Sequence, residues 1–173
     1  MSFAWMMDEA DDDFASTYRA VYPSVVRFAE GMLGAPADAH DIAQEAFVRL
    51  SRSDVPSDRA RFWLFRVARN LALNELRRRR RLEALKRLVG WMTRPATPFE
   101  TLARREDERR LHSSLDRLPE HLRAPLLLRE WESMSYGEIA SALGVTVEKV
   151  RSDLFRARQR LRDSLHEVSD ELS

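Results

Sequence analysis

Apolar residues recur every three or four positions along most of this chain, and this spacing places them on one face of an α-helix. Runs that alternate apolar and polar residues, as strands do, are absent from the sequence. The pattern predicts an all-α protein with helices near residues 11–33, 37–52, 58–89, 101–116, 120–132, 135–142 and 146–168.

The longest interruption of the helical pattern lies between Gly90 and Pro98, where one glycine and two prolines indicate a linker. We therefore predict two small helical domains, at residues 10–89 and 105–168, joined by a flexible linker at 90–104. An extended chain from Gly90 to Asp107 reaches roughly 60 Å at about 3.3 Å per residue, which exceeds the roughly 34 Å of one DNA turn.

Composition excludes several kinds of function. With 44% hydrophobic and 33% charged residues, the 173-residue chain has the composition of a globular, core-forming protein. The absence of cysteine excludes disulfides, thiolate metal sites and cysteine nucleophiles. The N-terminus lacks the basic flank of a secretory signal, and no apolar stretch is long enough for a membrane span, so we expect no membrane contact.

The formal net charge of +1 conceals a segregation of charges along the chain. The first thirteen residues contain acids and no base, whereas residues 61–87 contain ten bases and two acids. A second basic stretch, at 149–162, contains six bases and one acid. Concentrated positive charge attracts a polyanion even when the total charge is near neutral, so the pattern indicates a nucleic-acid partner.

The segment 135–158 has the pattern of a helix-turn-helix. Gly144 follows the first short helix and permits a left-handed turn, and Thr146 is placed to cap the second helix, which would enter the DNA major groove. The predicted base-edge contacts are Thr146, Glu148, Lys149, Arg151 and Ser152, and the predicted phosphate contacts are Arg156 and Arg158. The alternative is an ordinary helical hairpin with solvated charges.

The helix predicted over 58–89 has two distinct faces. Phe65, Ala68, Ala72 and Leu76 form an apolar stripe that indicates a core. The other face combines a ring, amides and bases, at Trp63, Arg66, Asn70, Asn74 and Arg77. Such a face suits single-stranded nucleic acid, because unpaired bases stack on rings while arginine binds phosphates. The alternative for Trp63 is a plain core position.

The helix predicted over 37–52 directs apolar side chains inward and polar side chains outward. The outward residues are Asp38, Asp41, Gln44 and Glu45. By itself, such a face is more typical of solvent exposure than of a partner surface.

Several short motifs occur in a fixed order over residues 14–165. They are Asp38-x-x-Asp41-x-x-Gln44-Glu45-x-Phe47, Trp63-Leu64-x-x-x-Ala68-x-Asn70, Leu118-Pro119, Ser135-Tyr136-x-Glu138-Ile139-Ala140, and Val150-Arg151-Ser152 with Arg156-Ala157-Arg158. In this order they resemble the extracytoplasmic-function (ECF) class of bacterial sigma factors, which carry two conserved domains called region 2 and region 4.

The resemblance implies a transcription initiation factor and no enzyme, cofactor or metal. Region 2 would dock the outward face of the 37–52 helix on core RNA polymerase, and it would melt and read the −10 element. Asn70 and the loop 53–60 would receive a flipped base. Region 4 would read the −35 element as duplex. The expected partners are core RNA polymerase, promoter DNA and an anti-sigma factor, and the free protein would be a cytoplasmic monomer that joins the nucleoid when active.

Three residues depart from the pattern of that family. Ser133 stands where glycine is usual, so we expect a differently shaped turn. Asp153 stands in the reading helix where a base is common, and we expect its carboxylate to repel phosphate. Asn74 replaces a frequently acidic residue. Together these departures leave the promoter sequence unpredicted.

Two other functions stay open on sequence grounds. His40-Asp41 is a dipeptide found in metal-dependent phosphohydrolases, but the other histidines lack ligand spacing, so a surface histidine is the simpler interpretation. A stand-alone repressor also uses a helix-turn-helix, but it normally dimerises, and the sequence offers no spare dimerisation helix. Such a repressor also has no need for the face that carries Trp63 and Asn70.

Overall fold

The computed structural model describes residues 4–34, 36–88 and 113–170, with side chains over 13–34, 37–87 and 113–164. This part of the chain contains no strand and consists of α1 (Ala4–Leu33), α2 (Pro36–Leu50), α3 (Ser57–Leu88), α4 (113–116), α5 (Glu120–Glu130), α6 (Tyr136–Leu143) and α7 (Val147–Asp170). The all-α prediction is confirmed. The predicted linker at 90–104 and most of the helix predicted over 101–116 lie outside the described residues.

The helices α1, α2 and α3 pack against one another around an apolar core. Phe28 of α1 and Phe65 of α3 meet edge to face, with ring centroids 5.4 Å apart, and both are buried. Three residues of the predicted apolar stripe, Phe65, Ala68 and Ala72, are fully buried, which confirms the orientation of α3, and Leu76 at its end is half-buried against the core. This orientation leaves its Asn70 face toward solvent.

The helices α6 and α7 form the predicted helix-turn-helix. Ser135 and Glu138 make reciprocal hydrogen bonds in a capping box at the start of α6. Gly144 ends α6 in the left-handed conformation, at φ 67°, and the Thr146 hydroxyl accepts a hydrogen bond of 3.2 Å from the backbone N–H of Lys149. The predicted roles of Gly144 and Thr146 are confirmed. These local hydrogen bonds fix the direction in which α7 leaves the turn.

The turn that contains Ser133 corrects an expectation drawn from the sequence. Ser133 has φ 53°, within the left-handed region that glycine adopts more readily. The turn therefore keeps the shape that glycine favours, and serine adopts it at a conformational cost. The backbone N–H of the next residue, Met134, donates to the carbonyl of Leu128 at 3.2 Å, and the Met134 side chain is buried.

Helices from the two halves of the chain also pack together, which the sequence did not predict. Gly31 of α1 faces the Trp131 ring so closely that an added Cβ would lie 2.6 Å from its Cζ3 atom. Arg123 of α5 is buried and donates to the carbonyl of Met32 at 2.7 Å. Burial lowers the pKa of Arg123, and nearby Asp116 opposes this shift. Among the described residues, the buried side chains form one continuous core.

Candidate nucleic-acid interface

The exposed face of α7 presents the side chains predicted to contact base edges. Glu148 and Arg151 are exposed, and Ser152 is half-buried beside them. On a helix that turns about 100° per residue, these residues share one face, opposite the buried Val150, Leu154 and Ala157. This face lies in the first turns of α7, where a recognition helix contacts base edges.

Phe155 was missed by the sequence reasoning and lies at the centre of the same face. Its side chain is 62% exposed, and it stands one turn beyond Arg151. A large apolar side chain exposed among charges indicates a contact surface. Helical spacing from Glu148 and Arg151 was the signal that could have found it.

Asp153 does not take the position expected from the sequence. Its side chain is 7% exposed, and its carboxylate binds the Lys149 ammonium at 2.6 Å. A carboxylate held on the inner side of α7 does not face phosphate, so the expected repulsion is corrected. The same ion pair holds Lys149 at the side of the α7 face that carries Glu148, Arg151 and Phe155.

The two predicted phosphate contacts, Arg156 and Arg158, lie on opposite flanks of the exposed face of α7. Arg156 is exposed, and Arg158 is exposed but donates to the Glu130 carboxylate of α5 at 3.0 Å. That hydrogen bond raises the pKa of Arg158 above its ordinary value. Because both partners of this pair are solvent-exposed, the pair is weak and leaves the guanidinium able to exchange Glu130 for another anion.

The predicted face of α3 is also largely open. Asn70, Asn74 and Arg77 are exposed, and the Arg77 guanidinium donates to the Asn74 amide oxygen at 3.3 Å. Trp63 is half-buried and packs against the core, as the core interpretation expects. Its stacking on an unpaired base stays a prediction.

Arg66 differs from the other residues of the α3 face because its guanidinium hydrogen-bonds to α6, in the other half of the chain. Its guanidinium donates to the carbonyls of Ser141 and Ala142, the second at 3.3 Å. These carbonyls lie at the C-terminal end of α6, where the helix dipole favours a cation. Arg61, one turn earlier on α3, donates to the carbonyl of Glu132 at 3.3 Å.

A cleft of about 290 Å³ lies between the start of α3, the loop before it and α1. Its walls combine apolar side chains with hydroxyls and one carboxylate. They are Asp13, Phe14, Thr17, Leu50, Ser51, Ser53, Val55, Ser57 and Ala60. The loop 53–60 thus contributes to a cavity, as its predicted role requires, but Asn70 is not among the lining residues. Asn70 lies ten residues beyond Ala60, roughly 15 Å along the helix at about 1.5 Å per residue.

The polar face of α2 is exposed, on the side of the helix opposite its buried apolar residues. Asp41, Gln44 and Glu45 are exposed, and Glu45 accepts a hydrogen bond of 2.7 Å from Arg49. Asp38 is half-buried and forms an ion pair with Arg79 of α3. The structure therefore keeps three of the four predicted residues on an accessible face and engages Asp38 within the bundle.

The described residues offer no other kind of site in support of the alternatives. Over 4–34, 36–88 and 113–170, no group of three or more His, Asp or Glu side chains could hold a metal ion. His40 instead faces the Tyr22 hydroxyl, 3.3 Å from its Nδ1. No helix among these residues is long and apolar enough to cross a membrane.

Comparison with known proteins agrees with this geometry. The family model "Sigma-70 region 2" matches residues 17–82, and "Sigma-70, region 4" matches residues 108–161. The RNA polymerase sigma-H factor of Pseudomonas aeruginosa is 34% identical over 148 residues, which cover 74% of this chain and 73% of that protein. The chain belongs to the extracytoplasmic-function sigma factors. This family consists of promoter-specific transcription initiation factors, and its members are not enzymes.

Other relatives support the same assignment. The ECF sigma factor SigE of Mycolicibacterium smegmatis is 37% identical over 152 residues, which are 85% of this chain, and this chain spans 59% of that protein's length. A solved structure titled as CnrH in complex with the cytosolic domain of CnrY covers 89% of this chain and 88% of its own, at TM-score 0.65 and 26% identity. The sigma factor RpoE bound to the anti-sigma factor NepR, from Bartonella quintana, shares the fold at TM-score 0.68 and 22% identity, covering 89% and 97%.

Proposed function

We propose that this sigma factor recognises promoters through two separate surfaces, reading the −35 element as duplex with α7 and holding the unpaired −10 strand with α3. The observation that carries the proposal is the reading face of α7, where Glu148, Arg151 and Phe155 are exposed next to the capped turn at Gly144. Region 2 corresponds to residues 10–89, region 4 to 105–168, and the segment 90–104 links them.

At the −35 element, the centre of the α7 face reads bases and its flanks bind phosphate. Arg151 pairs with guanine, Glu148 accepts from the amino group of cytosine, and Phe155 packs on the methyl group of thymine. Ser152 contacts a neighbouring base edge. The flanking residues that position the helix on phosphates are Thr146, Lys149, Arg156 and Arg158. This division moves Thr146 and Lys149 from base contacts to phosphate contacts, because the Thr146 hydroxyl caps α7 and Asp153 holds Lys149 aside.

At the −10 element, the α3 face supports the opened strand. Trp63 stacks on an unpaired base, Asn70 and Asn74 pair with base edges, and Arg66 and Arg77 bind phosphates. The loop 53–60 and the cleft beside it receive a flipped base. Arg66 binds the strand only after it leaves the carbonyls of α6, so melted DNA and the α6 contact compete for one guanidinium.

The acidic face of α2 docks on core RNA polymerase. Asp41, Gln44 and Glu45 supply exposed acceptors, and Asp38 contributes through its edge beside Arg79. Such a face pairs with a basic, amide-donating surface of the polymerase. Catalysis belongs to the polymerase, and the chain itself supplies none.

Regulation and location follow from the same family membership. Solved relatives are titled as complexes with the proteins NepR and CnrY, the first named an anti-sigma factor. We propose that an anti-sigma factor likewise holds this chain inactive. In our proposal the free protein is a cytoplasmic monomer and joins the nucleoid as part of the holoenzyme.

Run-off transcription from a genomic library, with core polymerase and with or without this protein, tests the proposal. We expect a defined set of new transcripts that share two spaced upstream elements and that disappear with Arg151→Ala. Core binding should persist in that variant, because Arg151 lies far from the α2 face. Tight, salt-insensitive operator binding by the free protein, without new transcripts, would instead identify a repressor.

Asn70→Ala separates the −10 role from polymerase binding. Because Asn70 is exposed, its truncation should leave folding intact while it impairs open-complex formation more than binding to core polymerase. Permanganate reactivity of unpaired thymines reports opening, and co-purification with the core enzyme reports binding. Equal losses in both measurements would assign Asn70 a structural role.

A further inference from the structure

The cleft beside the α2–α3 loop has an unusual balance of hydrogen-bonding groups. Its polar side chains are one carboxylate, Asp13, and four hydroxyls, at Thr17, Ser51, Ser53 and Ser57. Each hydroxyl carries a single hydrogen, whereas an ionised carboxylate carries none. The direction in which those few hydrogens point therefore decides which ligands the cleft can accept.

Three of the four hydroxyl hydrogens are already engaged within the protein. Ser51 Oγ donates to the carbonyl of Val48 and Ser53 Oγ to the carbonyl of Leu50, each at 2.9 Å. Ser57 Oγ donates to the Asp13 carboxylate. What these side chains still offer a ligand is lone pairs, and Thr17 holds the one hydroxyl of the set without such an assigned acceptor among the described residues.

The size and walls of the cleft suit one flat ring. Its volume of about 290 Å³ lies at the lower limit of small-molecule pockets. Phe14, Leu50 and Val55 supply apolar surface for the faces of a ring, while the acceptors stand at its edge. A ligand that presents hydrogen-bond donors along its edge completes this arrangement.

We propose that the cleft selects an unpaired cytosine or adenine over thymine, and that Asp13 determines this preference. The inference rests on the proposed binding of an unpaired −10 strand. Cytosine and adenine carry an exocyclic amino group at the position where thymine has its O4 acceptor, and this amino group donates to the Asp13 carboxylate, a charge-assisted hydrogen bond. Thymine has one donor on this edge, N3–H, which lies between its O2 and O4 acceptors, so a carboxylate that meets this hydrogen also meets a carbonyl oxygen.

The proposal also gives a role to the acidic start of the chain. Asp13 belongs to α1, which sequence patterns placed apart from the DNA-binding residues, and an acid near DNA is ordinarily repulsive. Its position in the cleft makes this acid useful, because it can accept a hydrogen bond from a base. In this proposal Asp13 determines base specificity, although it lies in an acidic segment and outside the basic stretch of α3.

The test measures binding of the reconstituted holoenzyme to forked promoter DNA whose unpaired −10 strand carries each of the four bases in turn at each position. Wild-type protein should prefer cytosine or adenine over thymine at one position by about tenfold, as expected for a good base contact. Asp13→Asn has the same shape but offers an amide donor, so this preference should fall below about threefold. Asp163→Asn, an exposed acid on α7, is the matched control and should keep the wild-type preference.

Each remaining outcome has a definite meaning. An Asp13→Asn variant that binds all four bases more tightly by the same factor would show that Asp13 acts only as a repelling charge, and this overturns the inference. An unchanged preference overturns it as well. If the wild-type holoenzyme fails to bind any forked promoter, the proposed function fails rather than the role of Asp13.

Discussion

The α7 and α3 faces proposed to bind DNA carry similar side chains but differ in what contacts them. On α7, Arg151 and Phe155 are exposed, and the basic side chains that form ion pairs do so with acids of the same half of the chain, as in Lys149–Asp153 and Arg158–Glu130. On α3, Arg66 instead donates to α6 in the other half of the chain. In the proposed function, duplex DNA therefore reaches α7 in the packed arrangement, whereas an unpaired strand that binds Arg66 must displace α6.

Exposure alone does not make a basic side chain available to bind DNA. Arg66 is exposed, yet its donors are directed at carbonyls at the end of a helix, a favourable position for a cation. The contact between the two halves of the chain beside Arg66, called the junction below, includes Glu132. The Glu132 side chain is 4% exposed and accepts a hydrogen bond from Arg27 at 2.5 Å. In the proposed function, contacts between the two halves thus connect −10 binding by α3 to the packing of α6 against it.

The largest expected effect lies on the open surface. Arg151→Ala and Phe155→Ala should each remove about 1–3 kcal/mol of discrimination at one base pair of the −35 element, roughly tenfold to a hundredfold in relative affinity. Folding should be unaffected because both side chains are exposed. Competition binding with every single-base variant of a promoter, chosen from the run-off experiment, measures the loss.

Arg162→Ala is the control for these two variants. It removes an exposed basic side chain from the same helix, beyond the reading face. It should weaken binding to all sequences alike. Preferences that survive unchanged in both Arg151→Ala and Phe155→Ala would show that α7 does not read bases.

The occupied surface is tested by loosening the junction. Glu132→Gln removes the charge that Arg27 and Arg61 share, so the free energy of unfolding should fall by about 1–3 kcal/mol. Binding of single-stranded oligonucleotides by the free protein should rise, because α6 releases Arg66 more readily. Urea unfolding and fluorescence anisotropy measure the two effects.

Glu130→Gln, at the end of α5 and two residues before Glu132, provides the comparison. Glu130 is an exposed acid that pairs with Arg158 within its own half, so its loss should change stability by less than about 0.5 kcal/mol. If Glu130→Gln and Glu132→Gln raise single-strand binding equally, the effect is one of net charge and the junction has no part in it.

A smaller effect concerns the strained turn. Ser133→Gly should raise the free energy of unfolding by about 1 kcal/mol, because glycine adopts the observed left-handed φ of 53° without the side-chain clash. Thermal unfolding should shift upward by about 2–4 °C for that gain. Ser141→Gly, within α6, should shift it downward, since glycine weakens a helix interior. A downward shift for Ser133→Gly would contradict the assignment of strain.

The smallest effect is a pH dependence at the start of α6. Hydrogen bonds from the backbone and then the hydroxyl of Ser135 hold the pKa of Glu138 below its ordinary 4.5. The ionised carboxylate therefore stabilises the fold above that value, and the contribution is lost as the pH falls through the lowered pKa. Glu138→Gln should be less stable than wild type at neutral pH, and this difference in stability should close as the pH falls through the lowered pKa. A gap that stays constant with pH would show that the charge has no role.

Local sequence was sufficient for the helix-turn-helix and for the helices that carry both surfaces. Gly144 and Thr146 act through backbone hydrogen bonds within a few residues, so their types and spacing were enough to predict them. The capping box of Ser135 and Glu138 is equally local, although the sequence analysis did not identify it. The buried stripe of Phe65, Ala68 and Ala72 followed from helical periodicity in the same way. Family resemblance then supplied the function.

Other features depended on contacts between residues far apart in the chain. Only the tertiary structure shows Trp131 against Gly31, Arg66 on α6, and Asp13 hydrogen-bonded to Ser57 beside the cleft. It also decided that Asp153 turns inward to Lys149 and that Phe155 stands exposed among charges. Periodicity identifies which residues share a helix face, but what a face meets depends on how the helices pack, and that packing is set by shape and burial over the whole core.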